Sequence, residues 1–261
     1  MRHLSLLLFL VLAAPVMAQR SKVLLVGEIV DLSHPFDETT VYWPTAEGFK
    51  LSTDFEGITD KGYFYSAYKY SAAEHGGTHL DAPVHFAKGR HTVDQIPLKQ
   101  LMGSGIVIDV TKQCAANRDY LVTVADFQNW ERRNGRIPPD VIVFLHTGFG
   151  KRYPDRKSYL GTDERGAEAV AKLHFPGLDP AAARWLTQNR SISAIGLDTA
   201  SIDYGQSTLF ESHRILFDKN IPAFENVANL EQLPVKGFSV IALPMKIKGG
   251  SGGPLRIVAF R

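Results

Sequence analysis

The stretch "EHGGTHLDAPVHF", Glu74 to Phe86, gathers three of the chain's nine histidines and two acids within thirteen residues. It cannot form a regular helix: the paired glycines Gly76 and Gly77 disfavour one, and Pro83 would remove a backbone hydrogen bond. The helical HExxH zinc arrangement is thereby excluded. In an extended chain, residues 75, 79, 81 and 85 share one parity and face one side. Three imidazoles and a carboxylate then converge, with the glycines permitting the bend that returns His75 toward His79. Imidazole and carboxylate ligands suit zinc, manganese or iron(II), and a few ligands from one short segment leave positions open for water and substrate. A catalytic metal site is the favoured reading. Satisfied polar residues in a loop, or a structural metal site, are the alternatives.

Around this stretch lie short aliphatic and β-branched runs of the kind that form buried strands: "KVLLVGEIVDL" (22–32), "GIVIDV" (105–110), "VIVFLH" (141–146) and "AIGLD" (194–198). Two more follow late, in "FSVIALPMKI" (238–247) and "LRIVAF" (255–260). Between them, "TVADFQNWERRNG" and "DPAAARWLTQNR" carry helix signals: Thr123 or Asp179 as N-cap, Pro180 at the first helical position, and Gly135 at the end of the former. Strands interleave with helices only in the middle of the chain. The expectation is an α/β single domain with a mixed β-sheet and flanking helices, neither a regular barrel nor a dinucleotide-binding fold. "GGSGGPLR" (249–256) lacks the lysine–serine ending of a P-loop and no helix pattern follows it. It reads as a bend between the last two strands, where glycines also let backbone approach a ligand.

At 261 residues and 44% hydrophobic content, the chain buries a substantial core. The basic start at Arg2, the apolar run from Leu4 to Val16 and the small residues at Val16 and Ala18 predict a cleaved secretory signal over 1–18, with the mature domain over 19–261. That run is shorter than the roughly 20 residues a bilayer-spanning helix needs, so a secreted or periplasmic protein with no membrane span after cleavage is expected. The formal charge of +2 is scattered, which gives no support to nucleic acid or anionic lipid as a partner. Cys114 is the sole cysteine, so no intrachain disulfide exists; it reads as a small buried hydrophobe, since no base pattern accompanies it.

The quoted stretch resembles the signature H-x-G-T-H-x-D-A-P-x-H of the cyclase family of metal-dependent hydrolases, which includes bacterial kynurenine formamidase, isatin hydrolase and trans-dienelactone hydrolase. His75, Gly77, Thr78, His79, Asp81, Ala82, Pro83 and His85 match it without departure. "DLSHPFDETTVYWP" (31–44), "HTG" (146–148) and "GLDTASID" (196–203) resemble further family segments, although His146 stands where relatives often carry arginine. The resemblance implies a swivelling β/β/α-like cyclase fold and a divalent metal, zinc or manganese, held by His75, His79 and Asp81. It further implies, in members with two ions, that the aspartate bridges to a second ion held by a histidine and a glutamate twelve residues apart, a spacing that His213 and Glu225 match. Relatives with glutamine at the latter position use one metal, so Glu225 favours two here. His85 is implied as the proton carrier, which agrees with the imidazole's suitability for proton transfer near neutrality; a fourth ligand is its alternative. Dimers or larger homo-oligomers, often with a partner chain lending aromatic residues to the pocket, are implied as well.

Trp43 resembles the aromatic lining the family's substrate pocket, with a core or interface role as the alternative; Phe36, Phe64 and Tyr65 are weaker candidates. Ser207 is a candidate for hydrogen bonding a water near the metal, not a nucleophile, because no G-x-S-x-G elbow surrounds it. Asp198, Ser201 and Asp203 suit turns and caps better than chemistry. His34, His91 and His174 lack sequence partners. The resulting expectation is a hydrolase acting on a small-molecule cyclic amide such as isatin. Arylformamide or lactone hydrolysis, and a secreted binding protein with a structural or vestigial metal site, are the alternatives.

Overall fold

The computed structural model describes residues 27–261. The expected export signal and the first part of the "KVLLVGEIVDL" run lie outside the described residues. From the N-terminus come β1 (Ile29–Asp31), β2 (Lys50–Ile58), β3 (Phe64–Ser71) and β4 (His79–Asp81). The short helix α1 (Leu98–Leu101) leads into β5 (Met102–Asp109), followed by α2 (Thr111–Ala116), β6 (Leu121–Val122), α3 (Val124–Asn134) and β7 (Val141–His146). Next are α4 (Arg156–Leu160), α5 (Ala167–Val170), β8 (Gly177–Leu178), α6 (Pro180–Asn189) and β9 (Ile192–Leu197). The chain ends with α7 (Glu211–Asp218), β10 (Ala223–Glu225), β11 (Lys236–Pro244) and β12 (Gly252–Phe260).

Eight strands form one mixed sheet in the order β1-β12-β11-β5-β7-β9-β10-β4. The run β5, β7, β9, β10 is parallel, and the remaining pairs are antiparallel. β4 also pairs with β12, so the sheet closes on itself. Closure explains why the central strands read as continuous apolar runs: both faces are covered. Ile106, Ile108, Val143, Leu145 and Leu197 pack outward against helix residues including Phe127, Leu186, Leu216 and Phe217. The alternate residues Val107, Ile142, Phe144 and Ala194 point inward, to a second cluster with Leu80, Phe224, Phe238 and Ile257.

The two helices with clear sequence signals are present. Thr123 and Asp126 form a reciprocal capping box at α3, which ends at Gly135 in a positive-φ conformation; Asp179 caps α6 with Pro180 at its first position. Cys114 is buried, and burial pushes its thiol pKa up to about 12, which keeps it protonated and inert. β2 and β3 pair only with each other, through the register Lys50–Ser71 to Ile58–Phe64, and are exposed along nearly their whole length. Among the described residues no helix is long and apolar enough to cross a membrane.

Candidate metal centre and active-site cavity

The quoted stretch is not extended throughout. Gly76 forms an isolated bridge to Tyr42, Gly77 turns with φ of 55°, β4 is three residues long, and Pro83–His85 is a turn of 3-10 helix with proline at its start. The shared-parity argument therefore holds only within β4, where His79 and Asp81 face one side and Leu80 the other. The turns on either side fold the ends back. His75 and His85 stack with ring centroids 3.8 Å apart. Both glycines are required by space: a Cβ at Gly76 would lie 2.1 Å from the Tyr42 ring, and one at Gly77 2.7 Å from the Phe36 ring.

Two distant segments complete the cluster. β10 pairs with β4 so that Glu225 lies directly opposite His79, and α7 carries His213 in its first turn. His213 Nε2 lies 3.2 Å from Asp81 Oδ2 and 3.1 Å from Glu225 Oε1; His79 Nε2 lies 3.0 Å from Asp81 Oδ1 and 3.5 Å from Glu225 Oε2. His75 Nδ1 lies 2.7 Å from Asp81 Oδ1. The fold thus brings together His75, His79, Asp81, His85, His213 and Glu225.

The donor set fits a divalent cation. His79 Nδ1 donates to the Gly77 carbonyl at 3.0 Å, and His213 Nδ1 donates to Asp203 Oδ2 at 2.6 Å. A neutral imidazole has one N–H, so in each ring that bond leaves Nε2 bare and facing carboxylate oxygens. His79 Nε2 is buried without a hydrogen-bond partner, since Asp81 is near but not aligned to accept a proton from it. Lone pairs from two imidazoles and two buried carboxylates converging in this way need positive charge among them. Protons supply it when metal does not. Burial disfavours the His79 cation, yet Asp81 and Glu225 outweigh it and push its pKa up to about 8. His213 is raised well above the usual histidine range against the same burial, through Asp203, Asp81 and Glu225. Burial also opposes ionisation of Asp81, but His75, His213 and His79 hold it well below the usual carboxylate range; Glu225 is raised by burial and by the charge of Asp81. His85 is different: burial dominates and lowers its pKa to about 4, so it is neutral near pH 7.

These groups line a cavity of about 240 Å³ whose wall includes Trp43, Phe86, Phe210, Tyr42 and Ser201. Trp43 packs against Phe175 and Phe210, and Phe86 stacks on Phe210 at 5.0 Å and leans on His213 at 4.7 Å. Phe36 lies outside this wall, against Phe49 and beneath Gly77. Ser207 is also outside it, and its hydroxyl lies 3.4 Å from Asp203 and caps the Phe210 N–H. His146 ends β7 in a separate depression with Thr147, Phe149 and Arg152. Asp198 holds the 147–150 turn through Thr147, Gly148 and Gly150, the turn role its sequence context suggested. His34 stacks on Tyr153 and His174 pairs with Asp119.

Sequence reasoning missed Asn226, Phe86 and Phe210, and for Asp203 it missed the contact with the His213 ring. Asp203 has the capping role its sequence context suggests, accepting the Ser212 and His213 backbone N–H groups at the start of α7, and it orients the His213 ring as well. Asn226 donates to the same Gly77 carbonyl that fixes His79 and accepts from Tyr159. No local pattern marks Asn226, which acts on segments far away in the chain, nor the contact of Asp203 with the His213 ring, which the loop between them sets.

Residues 30–204 match the family model described as "Putative cyclase". Isatin hydrolase of Roseibium aggregatum is 31% identical over 244 residues, spanning 86% of this chain and 90% of that protein. Kynurenine formamidase of Salinibacter ruber is 26% identical, spanning 88% and 96%. The solved structure of isatin hydrolase A from Labrenzia aggregata bound to benzyl benzoate superposes with a TM-score of 0.80 at 33% identity, over 89% of this chain and 93% of that one. With the signature at residues 75–85 intact and the fold shared, this chain belongs to the cyclase family of hydrolases.

Proposed function

We propose that the protein is a metal-dependent hydrolase that opens a cyclic amide fused to an aromatic ring, of which isatin is the model compound. The observation that carries this reading is the cavity itself, where bare imidazole nitrogens and two buried carboxylates meet an aromatic wall of Trp43, Phe86 and Phe210. A flat aryl substrate stacks on such a wall. At about 240 Å³ the cavity falls below the roughly 300–1,000 Å³ typical of pockets for drug-sized ligands, which suits a small bicyclic molecule. The likeness to isatin hydrolases supports the same choice.

His75, His79 and Asp81 would hold one divalent ion, zinc or manganese, and His213 and Glu225 would share Asp81 with a second. Bound there, such an ion supplies Lewis acidity toward the carbonyl and lowers the pKa of water toward about 7. Trp43, Phe86 and Phe210 hold the ring plane. His85, neutral and stacked beside His75, accepts a proton from the attacking water. The water oxygen bonds to the carbonyl carbon, the carbon–nitrogen bond breaks, and His85 returns its proton to the departing nitrogen.

The protein would act after export, on the strength of the charged and apolar pattern of residues 1–18. It would also self-associate through the β2–β3 hairpin. That hairpin exposes the large apolar or aromatic side chains of Leu51, Phe55, Ile58, Phe64, Tyr65 and Tyr70, the kind of surface that marks an interaction site. The cavity-lining residues Ala46 and Ala73 flank it, so a partner seated there would border the substrate.

Product release from isatin, N-formylkynurenine and a simple lactone, measured with metal-replete protein, tests the reading. The highest kcat/KM is expected for isatin. Preference for N-formylkynurenine would assign arylformamide hydrolysis instead. No turnover of any of the three at full metal content would refute the hydrolase reading in favour of a binding protein.

A further inference from the structure

The glycine-rich stretch 249–256 lies against the metal centre. Pairing of β12 with β4 sets Gly252 opposite Asp81, and a Cβ at Gly252 would lie 2.5 Å from His75 Cε1. One at Gly250 would lie 2.8 Å from Glu74 Oε1. Between these glycines, Ser251 is tied down on both sides. Its carbonyl accepts the Ala82 N–H at 2.8 Å and its own N–H donates to Glu74 Oε2 at 3.0 Å. Its hydroxyl lies 2.6 Å from the same Glu74 oxygen and 2.9 Å from His75 Nε2.

Donor bookkeeping then sets the direction of the two protons at Ser251. A carboxylate oxygen only accepts, so the single Ser251 hydroxyl proton is committed to Glu74. The Ser251 oxygen is left as an acceptor, and His75 Nε2 must be the donor to it. The other ring nitrogen, Nδ1, faces Asp81 Oδ1 at 2.7 Å, so with Nε2–H held by Ser251 it is the nitrogen whose lone pair is offered to a cation seated beside Asp81. We propose that Ser251 and Glu74 are positioning residues that lock His75 in its Nε2–H tautomer and aim Nδ1 at the metal, and that Gly250 and Gly252 are glycines so that this relay fits against the ring. The inference rests on His75 being a metal ligand. It gives all three histidines at the centre one plan: His79 spends its other N–H on the Gly77 carbonyl, His213 on Asp203, and His75 on Ser251.

Zinc and manganese competition titrations, with 15N NMR of the histidine rings in the zinc form, test this without reference to turnover. Ser251→Ala should lose about 10–100-fold in affinity for the ion, the usual consequence of removing a partner of a ligating histidine, and Ser251→Thr, which keeps the hydroxyl, should restore most of it. Glu74→Ala keeps the serine but frees its proton to donate to His75 Nε2. It should therefore shift His75 toward the Nδ1–H tautomer and weaken the metal at least as much. Unchanged affinity and an unchanged Nε2–H signature in both Ser251→Ala and Glu74→Ala would overturn the relay while leaving the metal site standing. A folded wild-type protein that takes up neither ion would overturn the relay together with the metal reading beneath it.

Discussion

Asp203→Ala is the most searching perturbation of the centre, because Asp203 touches none of the atoms proposed to meet substrate. It is 2% exposed, its Oδ2 accepts His213 Nδ1–H at 2.6 Å and the His213 backbone N–H at 3.1 Å, and its Oδ1 accepts the Ser212 N–H at 3.2 Å. Alanine leaves these buried donors without their carboxylate. A lost bond of this kind costs about 1–3 kcal/mol, and partial rehydration of the space left by the side chain brings the expected loss of stability to about 2–4 kcal/mol. The imidazole also loses the acceptor that kept its proton on Nδ1. Once Nε2 shares that proton, an N–H points at Asp81 and Glu225, where a cation should sit. Loss of such an orienting partner lowers metal affinity by about 10–100-fold, or roughly 1.4–2.8 kcal/mol. Asp203→Asn is the control: with its oxygen turned to His213 it keeps both Oδ2 bonds and gives up the weaker Oδ1 contacts. It should hold metal better than the alanine variant. Metal stoichiometry by elemental analysis, affinity by competition titration and thermal melts with and without zinc separate the two effects. A folded Asp203→Ala protein that binds metal with wild-type stoichiometry and affinity would refute the role given to this residue.

His85→Asn should retain full metal content while kcat falls by about 10²–10⁴-fold; concurrent loss of metal would make His85 a ligand instead. Metal-free protein should lose stability as pH rises from about 6.5 through about 8. His79 has its pKa raised from 6.5 to about 8 in the folded state, so the stabilisation is complete below 6.5 and gone above 8, about 2 kcal/mol for this one group, with His213 acting in the same sense. Metal-loaded protein should lack that slope, and metal affinity should fall with pH as these protons compete. Below 6.5 the sign reverses, because His34 and His85 have their pKa values lowered to about 4 and resist charging; thermal melts across pH 4–9 give both limbs. Replacing Phe55 and Tyr65, whose rings lie 5.8 Å apart on the hairpin, with serine should reduce the particle mass seen by light scattering, and an unchanged mass would refute self-association through this hairpin.

The sequence alone carried much of this centre, because part of it is covalently local. His75, His79, Asp81 and His85 fall within eleven residues, and two glycines and a proline announce that the segment turns. The α3 and α6 caps and the apolar runs of β5, β7, β9, β11 and β12 were equally legible, since capping and burial on both faces leave their marks on neighbouring residues. His213 and Glu225 were reachable only through resemblance to a family, for nothing in their own surroundings marks them. Tertiary structure decided the rest. The β2–β3 hairpin escaped notice because periodicity reports a buried face, and this hairpin has none among the described residues. Closure of the sheet depends on β4, three residues long, finding β10 on one side and β12 on the other. That same pairing brings Ser251 to His75 across 176 positions of chain, while Asp203 reaches His213 from the preceding loop. Which nitrogen of each histidine is bare is set by these partners, and hydrogen bonds between distant segments leave no periodic or compositional trace in the sequence.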